Sequence, residues 1–188
     1  MGKGWRDCIV VMYDLIGIKQ KAESSVGSTL MRQFMGAFVK IFRKGYGSIH
    51  RVYCWNDSAL LLAHVDDRED LIVTALKEAD TLKRHVDGIC KSFAVAIRGQ
   101  TFPLPPGIHE TSRVTVIEAS SYAMANCFLV AKQVKKLKGS WYVDSRIAKH
   151  MNTTRRSQAF QASLLPSGRR TIQVFDDYLW DASMVGHE

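Results

Sequence analysis

The first strongly apolar stretch of the chain runs from Cys8 to Tyr13 and reads Cys-Ile-Val-Val-Met-Tyr. Its β-branched residues and its lack of alternation are typical of a strand that is covered on both faces in the middle of a sheet. The stretch ends on Asp14, which is followed by Leu-Ile-Gly. The pattern therefore predicts a central strand with a carboxylate directly at its end.

Two later stretches carry apolar residues at helical spacing. In the first, Ser28 or Thr29 is available as an N-terminal cap and Gly45 as the stop. In the second, Asp66 and Asp67 can cap the helix. The apolar stripes consist of Leu30, Phe34, Phe38, Ile41 and Phe42 in the first helix, and of Leu71, Ile72, Ala75, Leu76, Ala79, Leu82 and Val86 in the second.

A hairpin is predicted between these helices, because Ile49 to Cys54 and Ala59 to Val65 read as strands that meet at the turn-forming Asn56-Asp57-Ser58. Another strand, from Lys91 to Ile97, follows the second helix. The order strand, helix, hairpin, helix, strand packs most simply as a ferredoxin-like α+β fold, with a mostly antiparallel sheet and both helices on one face. We expect the first strand and the first strand of the hairpin to be central.

The second half of the chain gives weaker signals, and we predict no structure between Thr153 and Arg170. We interpret residues 1–188 as a single domain with a core of about 8–145 and a C-terminal extension over 146–188. The remaining predicted elements are a Pro-rich loop from Thr101 to Glu110, a strand from Arg113 to Ile117, a helix from Tyr122 to about Leu137 capped by Ser120 or Ser121, and strands at Trp141 to Val143 and Ile172 to Phe175.

Composition places the chain among cytoplasmic globular proteins. It has 46% hydrophobic residues and four cysteines that lie too far apart for a zinc site. It shows neither a signal peptide nor an apolar run near the roughly 20 residues that span a membrane. The charge is +8, and the segment from Lys132 to Arg170 holds ten basic residues but one acid. This segment would attract a polyanion, either a nucleoside triphosphate or a nucleic acid.

The pair Asp14 and Asp57 is the most informative chemical feature, because the predicted fold brings the ends of their strands together. Two carboxylates at neighbouring strand ends, with Gly17 beside one of them, can hold two Mg²⁺ or Mn²⁺ ions around a triphosphate. The carbonyl of Leu15 would supply a further oxygen ligand. The alternative is structural, since an aspartate often caps a turn and Asn-Asp-Ser is an ordinary hairpin sequence.

These residues resemble the class III nucleotide cyclases. In that family the first strand ends in Asp-Ile-x-Gly-Phe, and a later hairpin carries Gly-Asp at its tip. Here Asp14-Leu15-Ile16-Gly17-Ile18 and Asn56-Asp57 stand in those places. The resemblance covers roughly Cys8 to Ser145. It implies the cyclase catalytic fold, metal binding by Asp14, Leu15 and Asp57, and a homodimer with active sites at its interface.

Within this family, the residue four before the hairpin aspartate helps to choose the base, and here it is Tyr53. A tyrosine resembles the choice made by the bacterial pyrimidine cyclases of the Pycsar anti-phage system, which produce cyclic UMP or cyclic CMP. In those enzymes an arginine on a neighbouring strand also faces the base, and Arg98 fits that description. Tyr53 and Arg98 are therefore the expected base-recognition residues, although Arg98 would also be ordinary at a strand end.

A second motif of the family, Asn-x-x-x-Arg on a later helix, is incomplete. Asn126 matches its asparagine, which orients the ribose, but Val130 replaces the arginine that steadies the phosphate. Lys132 and Arg113 are the candidate replacements for that cation. Alternatively, Asn126 is a polar residue on the flank of a helix with no catalytic role.

The resemblance implies a lyase that converts UTP, or CTP, to the 3′,5′-cyclic monophosphate and pyrophosphate. The product would act as a second messenger on an effector protein in antiviral defence. Two other readings stay open at this point. A basic ferredoxin-like domain also suits a nucleic-acid-binding module, for which Tyr53, Trp55 and Phe93 are the available aromatic residues. The second alternative is a catalytically inactive, cyclase-like dimerisation domain, and the missing arginine is the observation that supports it.

Overall fold

The computed structural model describes residues 5–18, 24–44, 48–55, 57–66, 68–103, 119–134, 137–151, 157–166 and 168–181. The elements, in chain order, are β1 Arg6–Leu15, α1 Ser25–Lys44, β2 Ile49–Trp55, β3 Ser58–His64, α2 Glu69–Ile89, β4 Ser92–Pro103, β5 Ala119–Ser120, α3 Tyr122–Gln133, β6 Trp141–Asp144, α4 Ser145–Ala148, β7 Gln158–Ser163 and β8 Arg169–Phe175.

One sheet organises the fold, with the strand order β2-β3-β1-β4-β6-β8-β7 and the short β5 paired to β4. All pairings are antiparallel except that of β4 with β6. The predicted α+β class with a mostly antiparallel sheet is confirmed. The expectation that the first hairpin strand is central was wrong, because β3, not β2, lies beside β1. β3 is buried along six of its seven residues, as a central position requires.

Helices cover both faces of this sheet. α1 and α2 pack together on one face, as predicted, and α3 packs on the other. No helix among the described residues is long and apolar enough to cross a membrane. Leu30 and Leu71 are partly buried, and the side chains of Ile41 and Phe42 lie outside the described part. The other stripe residues are buried, namely Phe34, Phe38, Ile72, Ala75, Leu76, Ala79, Leu82 and Val86.

The helix caps agree only in part with the sequence patterns. Ser121 caps α3 as predicted, since its hydroxyl accepts a hydrogen bond from the Ala123 amide at 3.0 Å. α1 begins earlier than expected, and the hydroxyl of Ser24 accepts from the Gly27 amide at 3.2 Å. The predicted acidic cap of α2 was wrong. The N-cap is Arg68, which makes no side-chain capping bond, and Asp66 adopts a positive φ of 42° in the preceding turn.

The C-terminal part of the chain extends the sheet. β8 is longer than the predicted strand, and β7 forms within the region for which no structure was expected. β7 has no alternating apolar pattern that would predict a strand, because only Ala162 of its six residues is buried. β4 continues to Pro103, into the predicted loop. The predicted strand from Arg113 to Ile117 lies outside the described residues.

The close approach of α3 to β4 depends on Gly99. A β-carbon at this position would lie 2.7 Å from the Ala123 β-carbon and 3.4 Å from its α-carbon, which belongs to the helix backbone. We expect Gly99→Ala to lower the free energy of unfolding by about 1–3 kcal/mol, because the helix must shift. Gly36→Ala in α1 is the matched control, since nothing lies within 4 Å of the added carbon.

Urea unfolding of both variants tests this contact. Gly36→Ala should raise the free energy of unfolding by roughly 0.5–1 kcal/mol, because alanine is the better helix former. Equal effects of the two substitutions would show that helix α3 is not held this closely against the sheet.

Candidate active site

Asp14 lies at the C-terminal end of β1, where its neighbours hold it in place. The preceding residue, Tyr13, is fully buried, and its hydroxyl donates to the Ala79 carbonyl of α2 at 2.8 Å. Asp14 pairs in register with Ser58 at the start of β3. The Ser58 hydroxyl donates to Oδ1 of Asp14 at 2.8 Å, which orients the carboxylate.

Asp57 lies beside this strand end, as the sequence predicted for the hairpin tip. Its backbone carbonyl accepts a hydrogen bond from the Leu15 amide at 3.0 Å. Asp14 and Asp57 both line a cleft of about 1260 Å³. The chain then turns away at Gly17, whose φ of +76° is in the region that favours glycine. The structure thus brings Asp14, Leu15, Gly17 and Asp57 together where β1 ends and β3 begins.

The cleft is acidic although the whole chain carries a charge of +8. No arginine, glutamate or histidine of the described residues lines it. A concave surface with an excess of carboxylates attracts cations and repels a bare polyphosphate. The charged residues that line it are Asp14, Asp57, Asp87, Asp176 and Asp177, with Lys91 and Lys138.

The donor set at the strand ends suits a hard divalent cation. Carboxylate and carbonyl oxygens are the ligands that Mg²⁺ and Mn²⁺ prefer, and Mg²⁺ is commonly held by one or two carboxylates together with substrate phosphates. No group of three or more His, Cys, Asp or Glu side chains among the described residues is arranged as a metal site. Asp14 and Asp57 therefore fit a site that water and substrate oxygens complete, and do not form an all-protein cage.

Tyr53 and Arg98 lie on opposite faces of the sheet. Tyr53 pairs with Leu60 and packs against the apolar cluster beneath α3, on the face that Asp14 also shares. Arg98 pairs with Ile9, which belongs to the cluster beneath α1 and α2. Its guanidinium lies 3.7 Å from the Asp7 carboxylate. Within one chain, the structure does not bring these two residues together.

Asn126 is buried in α3 and is not among the residues that line the cleft. Its side-chain oxygen accepts from the Leu165 amide at 2.8 Å, and its side-chain nitrogen donates to the Leu165 carbonyl at 3.2 Å. Of the two phosphate candidates, Lys132 is exposed in the last turn of α3 and does not line the cleft. Arg113 lies outside the described residues.

Sequence reasoning missed several residues of the cleft. Lys91 and Lys138 carry the positive charges, and Phe93 packs edge-to-face on Tyr142 with 6.0 Å between the ring centroids. Burial raises the pKa of the Tyr142 phenol, whose hydroxyl donates to the Leu137 carbonyl at 3.1 Å. Ser58, which binds the Asp14 carboxylate but does not line the cleft, had a signal in the sequence because it follows Asp57 directly in the hairpin. The other four come from segments whose approach to β1 depends on the folded sheet.

Solved structures that resemble this chain include several nucleotide cyclases. The guanylyl cyclase Cya2 superposes with a TM-score of 0.65 at 8% identity, over 95% of each chain. The adenylyl cyclase CyaB from P. aeruginosa gives 0.63 at 10% identity, over 92% of this chain and 95% of that one. The guanylate cyclase domain of RhGC from Catenaria anguillulae, solved in complex with GTP, gives 0.53 at 9% identity, over 92% and 97%.

Sequence comparison adds nothing to this likeness, since no protein-family model and no curated protein matches the chain. At identities of 8–10%, the likeness concerns the fold. It extends over 92–95% of this chain and 95–97% of the others. The chain therefore has the α+β fold of class III nucleotide cyclase catalytic domains.

Proposed function

We propose that this chain is a nucleotide cyclase that converts a pyrimidine nucleoside triphosphate, UTP before CTP, to its 3′,5′-cyclic monophosphate and pyrophosphate. The observation that carries the proposal is the meeting of Asp14 and Asp57 at adjacent strand ends inside one acidic cleft. The fold, which is that of adenylyl and guanylyl cyclases, supports the reaction class. Metal binding by Asp14, Asp57 and the Leu15 carbonyl belongs to the same proposal.

The protein's own residues would hold and orient the reacting groups. Two bound Mn²⁺ or Mg²⁺ ions would activate the ribose hydroxyl and neutralise charge on the leaving pyrophosphate. Ser58 keeps the Asp14 carboxylate oriented through its 2.8 Å hydrogen bond. Lys91 and Lys138 line the same cleft, and they offer cations to the phosphates where the arginine of the family motif is missing.

The proposed preference for a pyrimidine rests on Tyr53, which resembles the residue found at this position in the pyrimidine cyclases. Tyr53 lies on the same sheet face as Asp14 but does not line the cleft. A tyrosine ring and hydroxyl suit a small base. In a homodimer with sites at the interface, Arg98 and Lys132 would be presented by the partner subunit. Asn126 would reach the ribose only if its two hydrogen bonds to Leu165 opened. The product would then act as a messenger for an effector in antiviral defence, within the cytoplasm.

The nucleic-acid-binding alternative finds less support in the described residues. An RNA-binding sheet exposes aromatic side chains on its central strands. Here the α3 face of the central strands is covered, since Met12 and Leu60 are 2% exposed and Val95 is fully buried. Phe93 is partly buried and packs edge-to-face against Tyr142 inside the cleft, so it is not an exposed platform on a central strand. An acidic cleft would also repel a nucleic acid.

The deciding experiment is to incubate the purified chain with ATP, GTP, CTP or UTP in the presence of Mn²⁺ and to separate the products by chromatography. We expect one new product, cyclic UMP or cyclic CMP, together with pyrophosphate. If the product were a purine cyclic nucleotide, the cyclase activity would be supported and the proposed pyrimidine specificity would be wrong. If all four nucleotides stayed intact, the inactive dimerisation domain would replace the enzyme as the better reading.

A further inference from the structure

A buried lysine lies behind the wall of the cleft. Lys83 of α2 has no exposed surface, although lysine is almost never fully buried without a partner. Its Nζ donates to Oδ2 of Asp87 at 2.6 Å and to the Ser92 carbonyl at 3.0 Å. Burial lowers the pKa of Lys83, and the nearby Asp87 carboxylate opposes that shift. Burying a charged amine is costly unless it is paired and hydrogen-bonded, as Lys83 is here.

Asp87, the partner of Lys83, is itself a cleft residue. One of its oxygens binds Lys83, and the other accepts from the Ser92 amide at 2.9 Å and from the Ser92 hydroxyl at 2.7 Å. Both oxygens are therefore engaged within the protein. Unlike a metal ligand, this carboxylate is neutralised and held against the first residue of β4.

The hydrogen-bond network of Lys83, Asp87 and Ser92 reaches the metal-binding strand end through β4. Ser92 pairs in register with Leu15, and the next residue of β4 pairs with Asp14. The Ile16 amide adds a bond of 2.8 Å to the Lys91 carbonyl, directly before Ser92. The position of β4 at this end thus sets the position of the segment from Asp14 to Ile16.

We propose that Lys83 is a positioning residue of the cleft: it holds Asp87 and Ser92, and through them it keeps Asp14 and the Leu15 carbonyl in the arrangement that binds metal. This inference rests on the proposed function, because metal-dependent catalysis is what the arrangement would serve. Lys83 itself touches neither substrate nor metal. Its effect on the reaction is carried entirely by β4.

The double variant Lys83→Met/Asp87→Asn tests this role, since it removes one positive and one negative charge and leaves the net charge of the cleft wall unchanged. We expect Mn²⁺ binding, measured by titration calorimetry without nucleotide, to weaken at least about threefold, and kcat to fall at least about tenfold. KM for the nucleotide should change by less than about threefold, because nucleotide contacts are not removed.

The matched control is Arg68→Met/Asp70→Asn, which removes an exposed ion pair next to the start of α2 with the same charge balance. It should leave Mn²⁺ binding and kcat unchanged. If Lys83→Met/Asp87→Asn fails to fold, Ser92→Ala tests the same link, because it removes only a hydroxyl that donates to Asp87. That variant should shift Mn²⁺ binding and kcat in the same direction by at least about twofold.

A folded double variant or a folded Ser92→Ala protein that binds Mn²⁺ and turns over like the control would overturn the positioning role. So would wild-type protein that binds no Mn²⁺. The calorimetric readout separates the two proposals, because it does not require turnover. If wild-type protein binds Mn²⁺ but cyclises no nucleotide, the proposed function fails, and the shift in Mn²⁺ binding still decides the role of Lys83.

Discussion

Asp57→Ala is expected to abolish nucleotide cyclisation, with a loss on the order of 100-fold or more, because it removes one of two carboxylates that the reaction needs. The fold should survive, since the side chain lies at a hairpin tip and buries little apolar surface. Product formation from UTP and CTP with Mn²⁺ measures the activity. Thermal unfolding, compared with that of the wild type, measures the fold.

Asp70→Ala is the control for this substitution, because it removes an exposed carboxylate far from the hairpin tip, with 63% of its side-chain surface accessible. It should leave turnover as in the wild type. Full activity of Asp57→Ala would show that Asp14 and Asp57 do not together bind the catalytic metal ions. A loss of activity accompanied by unfolding would instead show that the hairpin tip is a structural site.

Asp144→Asn is expected to lower the free energy of unfolding by about 1–3 kcal/mol, because it removes the charge of a buried carboxylate that pairs with two arginines. Asp144 has no exposed surface. Its Oδ2 accepts from the guanidiniums of Arg170 at 2.8 Å and Arg146 at 3.1 Å, and its Oδ1 accepts from the Arg146 amide at 3.0 Å. The effect should lie at the lower end for a broken buried pair, since both arginines keep contact with water.

Urea unfolding at pH 7 tests this expectation against Asp70→Asn, which breaks an exposed pair and should change stability by less than about 1 kcal/mol. Asp144 lies at the end of β6 and joins β4, α4 and β8, so its loss should affect the whole sheet and not a single loop. If the two variants had the same midpoint, the buried charges of this cluster would contribute nothing measurable.

Local pattern was enough to predict most individual elements. The apolar stripe of α1, the covered strand β1, the hairpin at Asn56-Asp57-Ser58 and the Ser121 cap all depend on neighbours within a few residues along the chain. The juxtaposition of Asp14 and Asp57 followed from the sequence of elements along the chain and from the turn, although the expected neighbour of β1 was the wrong strand of the hairpin. These features could be predicted because the side-chain periods of helices and strands are local properties.

Pairing between distant strands could not be predicted in the same way. The choice of β3 over β2 as the neighbour of β1 reflects the nearly complete burial of β3, which the sequence hints at in Ala59-Leu60-Leu61-Leu62. The faces of Tyr53 and Arg98 depend on the registers across three strand pairs, and a shift of one residue reverses a face. β7 is mostly exposed, so its pairing with β8 leaves no pattern to find.

By itself, the sequence determined which segments of the first half form helices and which form strands, and it placed two carboxylates at the ends of neighbouring strands. Only the tertiary structure decided what surrounds those carboxylates: the hydrogen bond from Ser58, the two lysines of the cleft, and the buried Lys83 with Asp87 behind it. The reason is physical. Secondary structure follows from the spacing of residues along one segment, whereas a cleft is formed by segments that lie far apart in the chain and meet only when the sheet closes.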